Sequence, residues 1–265
     1  MRSLLFNLFF YCFTGLLTPL VWLVAKHGSR ERLWALIRFW GKTVIGGVRL
    51  ILNSRIEIRG QENLPEGGSW LLVCKHQSEL DAVLLASILP HAGAVAMQEL
   101  EDYPLFGPIL KRLGLVLVPT TDPRANRTAQ VVEGAQRILA EGRPMVISPE
   151  GALMSLGAHE RYRKEGGHMY QAMGTEAVLV ASSLGVIWPR CEGRKYPHRT
   201  AAVEVLEPVP PGMALEAFFM ATIKERIETA TMALIREHAE GEVLAAAEDR
   251  HARGVANEDQ SRYSF

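Results

Sequence analysis

The sequence predicts an α/β fold: a sheet covered by helices on both faces, preceded by N-terminal membrane-associated helices. Three observations carry this. From residue 54 onward, short β-rich runs alternate with stretches of helical spacing. Residues 4–25, LLFNLFFYCFTGLLTPLVWLVA, carry no charge at all. A chain of 265 residues can bury one domain-sized core with some helical material to spare.

The uncharged segment is long enough to cross a hydrocarbon core of ~30 Å. Lys26, Arg30 and Arg32 follow it, and Trp22 sits near that boundary as an interfacial anchor would. A cleavable signal has a shorter apolar core and small residues after it, which is not the pattern here. Pro19 and Gly15 allow a kink, so a shallow re-entrant hairpin competes with a full span. The next stretch, LWALIRFWGKTVIGGVRLILN, is amphipathic, with Arg38, Lys42 and Arg49 between its apolar turns. Its flanks read as those of a membrane helix, against the blander reading of a buried core helix. Residues 1–52 are therefore expected to form a membrane-anchoring helical segment, with the rest of the chain on the cytosolic side.

Seven runs have strand character: RIEIRG, WLLVC, GAVAM, LVLV, MVIS, AVLVA and AAVEVLE. Between them, residues 79–89, 103–113, 125–141 and 166–174 show helical spacing. Residues 125–141 are the clearest, with Val131, Val132, Ala135, Ile138 and Leu139 on one face and Gly142 beyond the end. A further amphipathic helix is predicted over 214–238, with Phe219, Ile223, Ile227, Ala230 and Leu234 in register. No linker divides residues 53–240, which read as one domain. Residues 241–265 are Ala- and charge-rich, then polar, and are expected to fray as a C-terminal tail.

Composition narrows the function. The formal net charge is zero, whereas a nucleic-acid binder needs a basic surplus to displace counterions from phosphates. Cys12, Cys74 and Cys191 are odd in number and far apart, so they form neither a disulfide framework nor a metal motif. The sequence holds no Gly-x-Ser-x-Gly elbow, His-Glu-x-x-His helix or P-loop. No metal site is expected, since His159, His168 and His198 lack ligand spacing.

Two runs end in groups able to handle protons. WLLVC leads into Lys75, His76 and Gln77 at the edge where open α/β sheets build their sites. Ser78-Glu79-Leu80-Asp81 then matches a capping box. On that pattern alone, Asp81 caps a helix and His76 is a loop histidine. On one helix, five positions would set the two ~140° apart. With His76 in the loop and Asp81 in the first turn, the imidazole can fold back onto the carboxylate. The Asp would then fix the tautomer through Nδ1–H and leave Nε2 as a general base. A dyad without its own nucleophile takes its proton from a substrate hydroxyl, which suits acyl transfer to an alcohol with no covalent enzyme intermediate. Seventy residues on, MVIS runs into Pro149, Glu150 and Gly151.

The motif HQSELD resembles the His-(four residues)-Asp motif of the 1-acylglycerol-3-phosphate acyltransferase family of glycerophospholipid acyltransferases, and SPEGALMS resembles that family's Phe-Pro-Glu-Gly-Thr-Arg block. RYRKEGG, AVLVASSLGVIWPR and LEPVPPGM extend the similarity, which covers roughly residues 54–238. The resemblance implies a mixed sheet flanked by helices, an N-terminal membrane-binding segment and an acyltransferase domain. It implies His76 as base, Asp81 as its orienting partner, and Ser78, Pro149, Glu150 and Gly151 in the substrate site. Glu150 as a carboxylate that caps backbone N–H groups is the alternative, and both roles can hold together.

Departures bear on the acceptor. Where the family block has Thr-Arg, this chain has Ala152 and Leu153, and the family's second arginine falls at Thr120. Both arginines are credited with gripping phosphate, and neither Leu nor Thr can make paired charge-assisted bonds to it. Arg124, Arg127, Arg161, Arg163 and Lys164 are near in sequence; Arg124 and Lys164 are singled out as substitutes. The run WPRCEGRKYPHR, residues 188–199, is locally basic and faces anionic headgroups, an acidic acyl carrier, or only solvent.

The expected function is O-acyl transfer at the cytoplasmic face of the cell inner membrane, to the hydroxyl of a lysolipid, foremost 1-acylglycerol-3-phosphate, giving phosphatidic acid. The donor is acyl-CoA or acyl carrier protein, with no other cofactor. Expected partners are the lysolipid acceptor, the donor and membrane lipids, with no nucleic acid. Two alternatives are an acceptor without a phosphomonoester, such as a lyso-ornithine lipid, and a non-catalytic membrane lipid-binding protein of the same fold.

Overall fold

A computed structural model describes residues 1–89, 91–103, 105–119, 126–190, 192–215, 217 and 222–254. Two long helices come first, α1 (Arg2–His27) and α2 (Arg30–Leu50). Then follow β1 (Arg55–Arg59), β2 (Leu71–Cys74), α3 (Glu79–Ile88), β3 (Gly93–Met97), α4 (Phe106–Leu113), β4 (Val116–Val118), α5 (Arg127–Ala140) and β5 (Met145–Ile147). The chain continues through α6 (Glu165–Met173), β6 (Ala177–Ser182), β7 (Thr200–Val205), α7 (Lys224–His238) and α8 (Gly241–Arg253).

The seven strands form one sheet in the order β1-β7-β6-β2-β5-β3-β4. Every pairing is parallel except β6 with β7, so the sheet is mixed. Its centre, β2 and β6, is buried along its whole length, which is why those runs read as unbroken apolar sequence. Leu72 and Cys74 pack on one face with Phe6, Val44, Val48, Leu80 and Val83 from α1, α2 and α3. Leu71 and Val73 pack on the other face with Val131, Ile138, Met169 and Ile227 from α5, α6 and α7.

All seven predicted strands are present, whereas two helical expectations need correction. The stretch 33–53, read as a membrane helix, is largely a core helix. Val44, Val48 and Leu52 are fully buried against the sheet, and a methyl group on Gly41 would meet the Val83 carbonyl at 2.9 Å. The basic residues Arg38, Lys42 and Arg49 lie on its exposed side. An amphipathic core helix and an interfacial helix share this local pattern, and only tertiary packing separates them. Second, residues 241–253 do not fray but form α8, which seats Ala247 among Leu156, Val186, Met232, Ile235 and Ala239. Gly157 allows this approach, since any side chain there would run into the Ala247 carbonyl. The last predicted helix begins at Lys224; its expected contact Phe219 lies outside the described residues.

Among the described residues α1 alone is long and apolar enough to cross a membrane. Pro19 sits inside it without ending it. Leu4, Leu5, Leu8, Tyr11, Leu16, Leu20 and Leu23 are exposed along it. Both of its ends are tied to the α/β unit. Near the start, Phe6 and Phe10 meet the Trp188 ring edge-on at 5.7 and 5.1 Å, and Asn7 donates to the Gly193 carbonyl at 2.6 Å. Near the end, Val21 and Ala25 pack on Leu113, and Arg112 donates to the Ala25 carbonyl at 2.8 Å.

Candidate active site

Parallel pairing of β2 with both β5 and β6 brings three strand ends to one edge of the sheet. The residues that follow β2 and β5, and the last residue of β6, therefore meet in space although roughly 30 to 110 positions separate them in sequence.

After β2 the chain leaves the sheet through Lys75, His76 and Gln77, and Ser78 starts α3 as its N-cap. The capping box is formed: the Ser78 hydroxyl accepts from Leu80 N–H at 3.0 Å, and Asp81 Oδ2 accepts from Ser78 N–H at 2.9 Å. The same Oδ2 accepts from Gln77 N–H at 2.7 Å and lies 3.2 Å from His76 Nδ1. Asp81 thus caps the helix and holds the imidazole at once, so the two sequence readings coexist. Its other oxygen accepts from the Ser182 hydroxyl at 2.8 Å. Asp81 is buried, while the His76 side chain is 27% exposed. With Asp81 ionised, the proton of a neutral ring resides on Nδ1 and Nε2 is the lone-pair nitrogen. No serine, threonine or cysteine hydrogen-bonds to His76 among the described residues. Burial pushes the Cys74 thiol up to about 12, which makes it an inert neighbour.

Ser78 is fully buried, and its hydroxyl also donates to the Trp188 carbonyl at 2.6 Å. Both of its hydrogen bonds serve the fold, so its expected place in a substrate contact is taken by structural partners. Pro149 is likewise buried, and its carbonyl accepts from Arg163 N–H at 2.7 Å.

The loop after β5 turns at Gly151, where φ is +67°. Glycine enters this left-handed region without steric cost, and here it has a second reason. A methyl group on Gly151 would come within 2.5 Å of Arg163 Nε, so the exposed Arg163 side chain lies directly over the glycine. Arg163 carries no ion pair among the described residues. Lys164 is exposed at the N-cap of α6. Arg124 and Thr120 lie outside the described residues. Met154 N–H donates to the His76 carbonyl at 2.7 Å, which fastens this loop to the base.

Glu150 points inward. It is 1% exposed, and its Oε1 lies 2.8 Å from Lys75 Nζ and accepts from Glu160 N–H at 3.2 Å. Lys75, equally buried, also reaches Glu228 of α7 at 2.8 Å and the Ala158 carbonyl at 2.9 Å. Tyr162 donates to Glu228 at 2.8 Å. One cation therefore faces two carboxylates in a dry interior. Burial, opposed by the Lys75 charge, pushes the Glu150 carboxyl up to about 7. Lys75, Ser182 and Glu228 carried no sequence-level signal beyond a polar residue at a strand end or on a helix face.

Comparison with known proteins agrees with this geometry. The Acyltransferase family model matches residues 55–185. A 1-acyl-sn-glycerol-3-phosphate acyltransferase of Pseudomonas aeruginosa is 26% identical over 168 residues, covering 63% of this chain and 65% of the relative. A sheep 1-acyl-sn-glycerol-3-phosphate acyltransferase alpha is 24% identical over 196 residues, covering 72% of this chain and 66% of the relative. The chain thus spans just under two thirds of either relative. The crystal structure of the 1-acyl-sn-glycerophosphate (LPA) acyltransferase PlsC from Thermotoga maritima superposes with a TM-score of 0.65 at 19% identity, over 96% of this chain and 99% of that one. That match shows a shared fold.

Proposed function

The chain belongs to the acyltransferase family, and on that premise we propose that it moves a fatty acyl group from a thioester donor to the hydroxyl of a lysolipid at a membrane surface. The observation that carries the reading is the 3.2 Å approach of His76 Nδ1 to Asp81 Oδ2. It leaves Nε2 to take a proton, with no enzyme nucleophile hydrogen-bonded to the ring among the described residues. The acceptor hydroxyl is then the nucleophile: as Nε2 removes its proton, its oxygen attacks the thioester carbonyl, and the thiolate leaves and is protonated. A narrow apolar cavity beneath the dyad, lined by Leu72, Leu84, Leu85, Val180 and Val203 and reaching Asp81 and Ser182, offers an apolar wall next to the reacting groups.

For the acceptor we favour a phosphate-bearing lysolipid, 1-acylglycerol-3-phosphate. Leu153 stands where the family pattern has an arginine, and Arg163 lies over Gly151 in the adjoining turn. A cation is thereby returned to the turn from ten residues further along the chain. The test is a panel of phosphate-bearing, zwitterionic and neutral lysolipids, with release of free thiol as the readout. Charge-assisted bonds contribute ~1.5–3 kcal/mol, so Arg163→Ala should raise KM for the phosphate acceptor roughly 10–100-fold and leave neutral acceptors unchanged. Unaltered KM in Arg163→Ala, or a wild-type preference for a neutral lysolipid, would move the assignment to an acceptor without a phosphomonoester.

For attachment we favour α1 lying in one leaflet. A helix of 26 residues is ~39 Å long, yet both ends contact the same α/β unit, which a span would separate by the bilayer. Cysteines introduced as Arg2→Cys and His27→Cys, in a chain with Cys12 and Cys191 replaced by serine, should both react with an impermeant maleimide from the cytoplasmic side. Labelling of one of them only from the opposite side would show a span.

A further inference from the structure

A second cleft, of about 260 Å³, opens on the α8 side of the same sheet edge. Its walls are α8, the turn at Ser155 and Leu156, and the 185–199 segment, whose basic run the reaction described above does not use. Gln77, the residue after the base, lines it. Gln77 is 1% exposed, and neither its Oε1 nor its Nε2 has a hydrogen-bond partner among the described residues. A buried carboxamide with donor and acceptor both unmet costs far more than a satisfied one. A ligand that meets both must bring an N–H to Oε1 and a carbonyl or other acceptor to Nε2. A trans secondary amide points its N–H and C=O in opposite directions. One such amide therefore meets one of the two atoms, and two successive amides along an arm meet both. A phosphate offers only acceptors, and an alkyl chain offers neither.

We propose that this cleft receives the amide-bearing arm of the thioester donor, with the Gln77 carboxamide hydrogen-bonded to successive amides of that arm. The assignment rests on the acyl-transfer reading, because a thioester carbonyl within reach of His76 must trail its arm past a neighbour of His76. The walls suit such an arm: Leu156 and Val186 offer its alkyl groups apolar contact. Arg190, Arg199 and Arg250 share the lining, Arg250 donating to the Leu156 carbonyl at 3.2 Å, so cations are at hand for a phosphate at the arm's far end. Glu192, Glu240 and Glu242 share the lining, so the cleft is not a general anion trap. The arm is common to coenzyme A and to acyl carrier protein.

The full chain in detergent is titrated with pantetheine alone, coenzyme A and carrier protein, and is assayed with an acyl N-acetylcysteamine thioester against the ethyl thioester of the same acid. Wild type should bind pantetheine and use the amide-bearing thioester at least ~10-fold better in kcat/KM. Gln77→Leu should erase both effects, leave acceptor KM unchanged and not lower the melting temperature, since no unpaired amide remains buried. Ala246→Trp, which fills the cleft from α8, should raise donor KM alone. Loss of coenzyme A binding in both variants with carrier protein unaffected would identify coenzyme A as the donor whose arm the cleft takes, and the reverse would identify the carrier. Persistence of the amide preference in Gln77→Leu, or a rise in acceptor KM rather than donor KM in both variants, overturns the assignment. Gln77-dependent pantetheine binding without acyl transfer from any thioester would support the cleft and reject the acyltransferase reading.

Discussion

Replacing His76 with alanine is expected to lower acyl transfer by roughly 10²–10⁴-fold while the protein stays folded. The side chain is partly exposed and, among the described residues, hydrogen-bonds to Asp81 alone, so its loss removes the base without opening the core. Asp81→Asn should be nearly as damaging to turnover. An amide in place of the carboxylate can donate to Nδ1, which puts the ring proton on Nε2 where the lone pair is needed. Asp81 also accepts from Gln77 N–H, Ser78 N–H and Ser182, so Asp81→Ala should additionally destabilise the fold by at least the ~1 kcal/mol of a lost cap. Comparing the three variants separates chemistry from folding: His76→Ala should unfold with wild-type cooperativity and Asp81→Ala earlier. Near-normal transfer by His76→Ala to an authentic acceptor would remove this residue from the reaction.

The dyad was legible because its parts are local. A strand-like run, a loop and a capping box fit within thirteen residues, and helix geometry alone decides where His76 must lie. The strands were legible for a similar reason, since burial on both faces removes polar residues from a run and marks it. What the sequence concealed depends on distant partners. Lys75 reads as a loop cation, because its acceptors Glu150 and Glu228 lie 75 and 153 positions away. Glu228 reads as one more charge on an amphipathic helix, although it lies on the buried face of α7. α8 escaped because Ala247 is its one fully buried residue, so its apolar stripe is too thin to rise above an Ala- and charge-rich background. In α2 the pattern was visible but ambiguous, since apolar turns with basic flanks suit a lipid surface as well as a sheet.

Removing the buried cation is expected to damage stability most. Lys75 holds three segments together: the loop that carries the base, the turn after β5 and helix α7. Lys75→Met fits the volume but leaves Glu150 and Glu228 facing each other in the interior, a broken buried ion pair that costs ~3–5 kcal/mol. Lys75→Met combined with Glu150→Gln and Glu228→Gln should recover much of this, because no uncompensated charge is left. Linkage gives the same cluster a pH signature. The Glu150 carboxyl is raised, chiefly by burial, from 4.5 to about 7, so between those values the folded protein binds a proton that the unfolded chain has released. Its contribution to stability is fully present below the unfolded value, declines as pH rises from 4.5 towards about 7, and is gone above. The size of the effect is on the order of 3 kcal/mol. Unfolding midpoints between pH 4 and pH 8 should therefore slope downward across this window in the wild type, and Glu150→Gln should flatten that slope. A wild-type midpoint rising through the same interval, or a slope untouched by Glu150→Gln, would mean that the cluster keeps both carboxylates charged and draws its compensation from Lys75 alone.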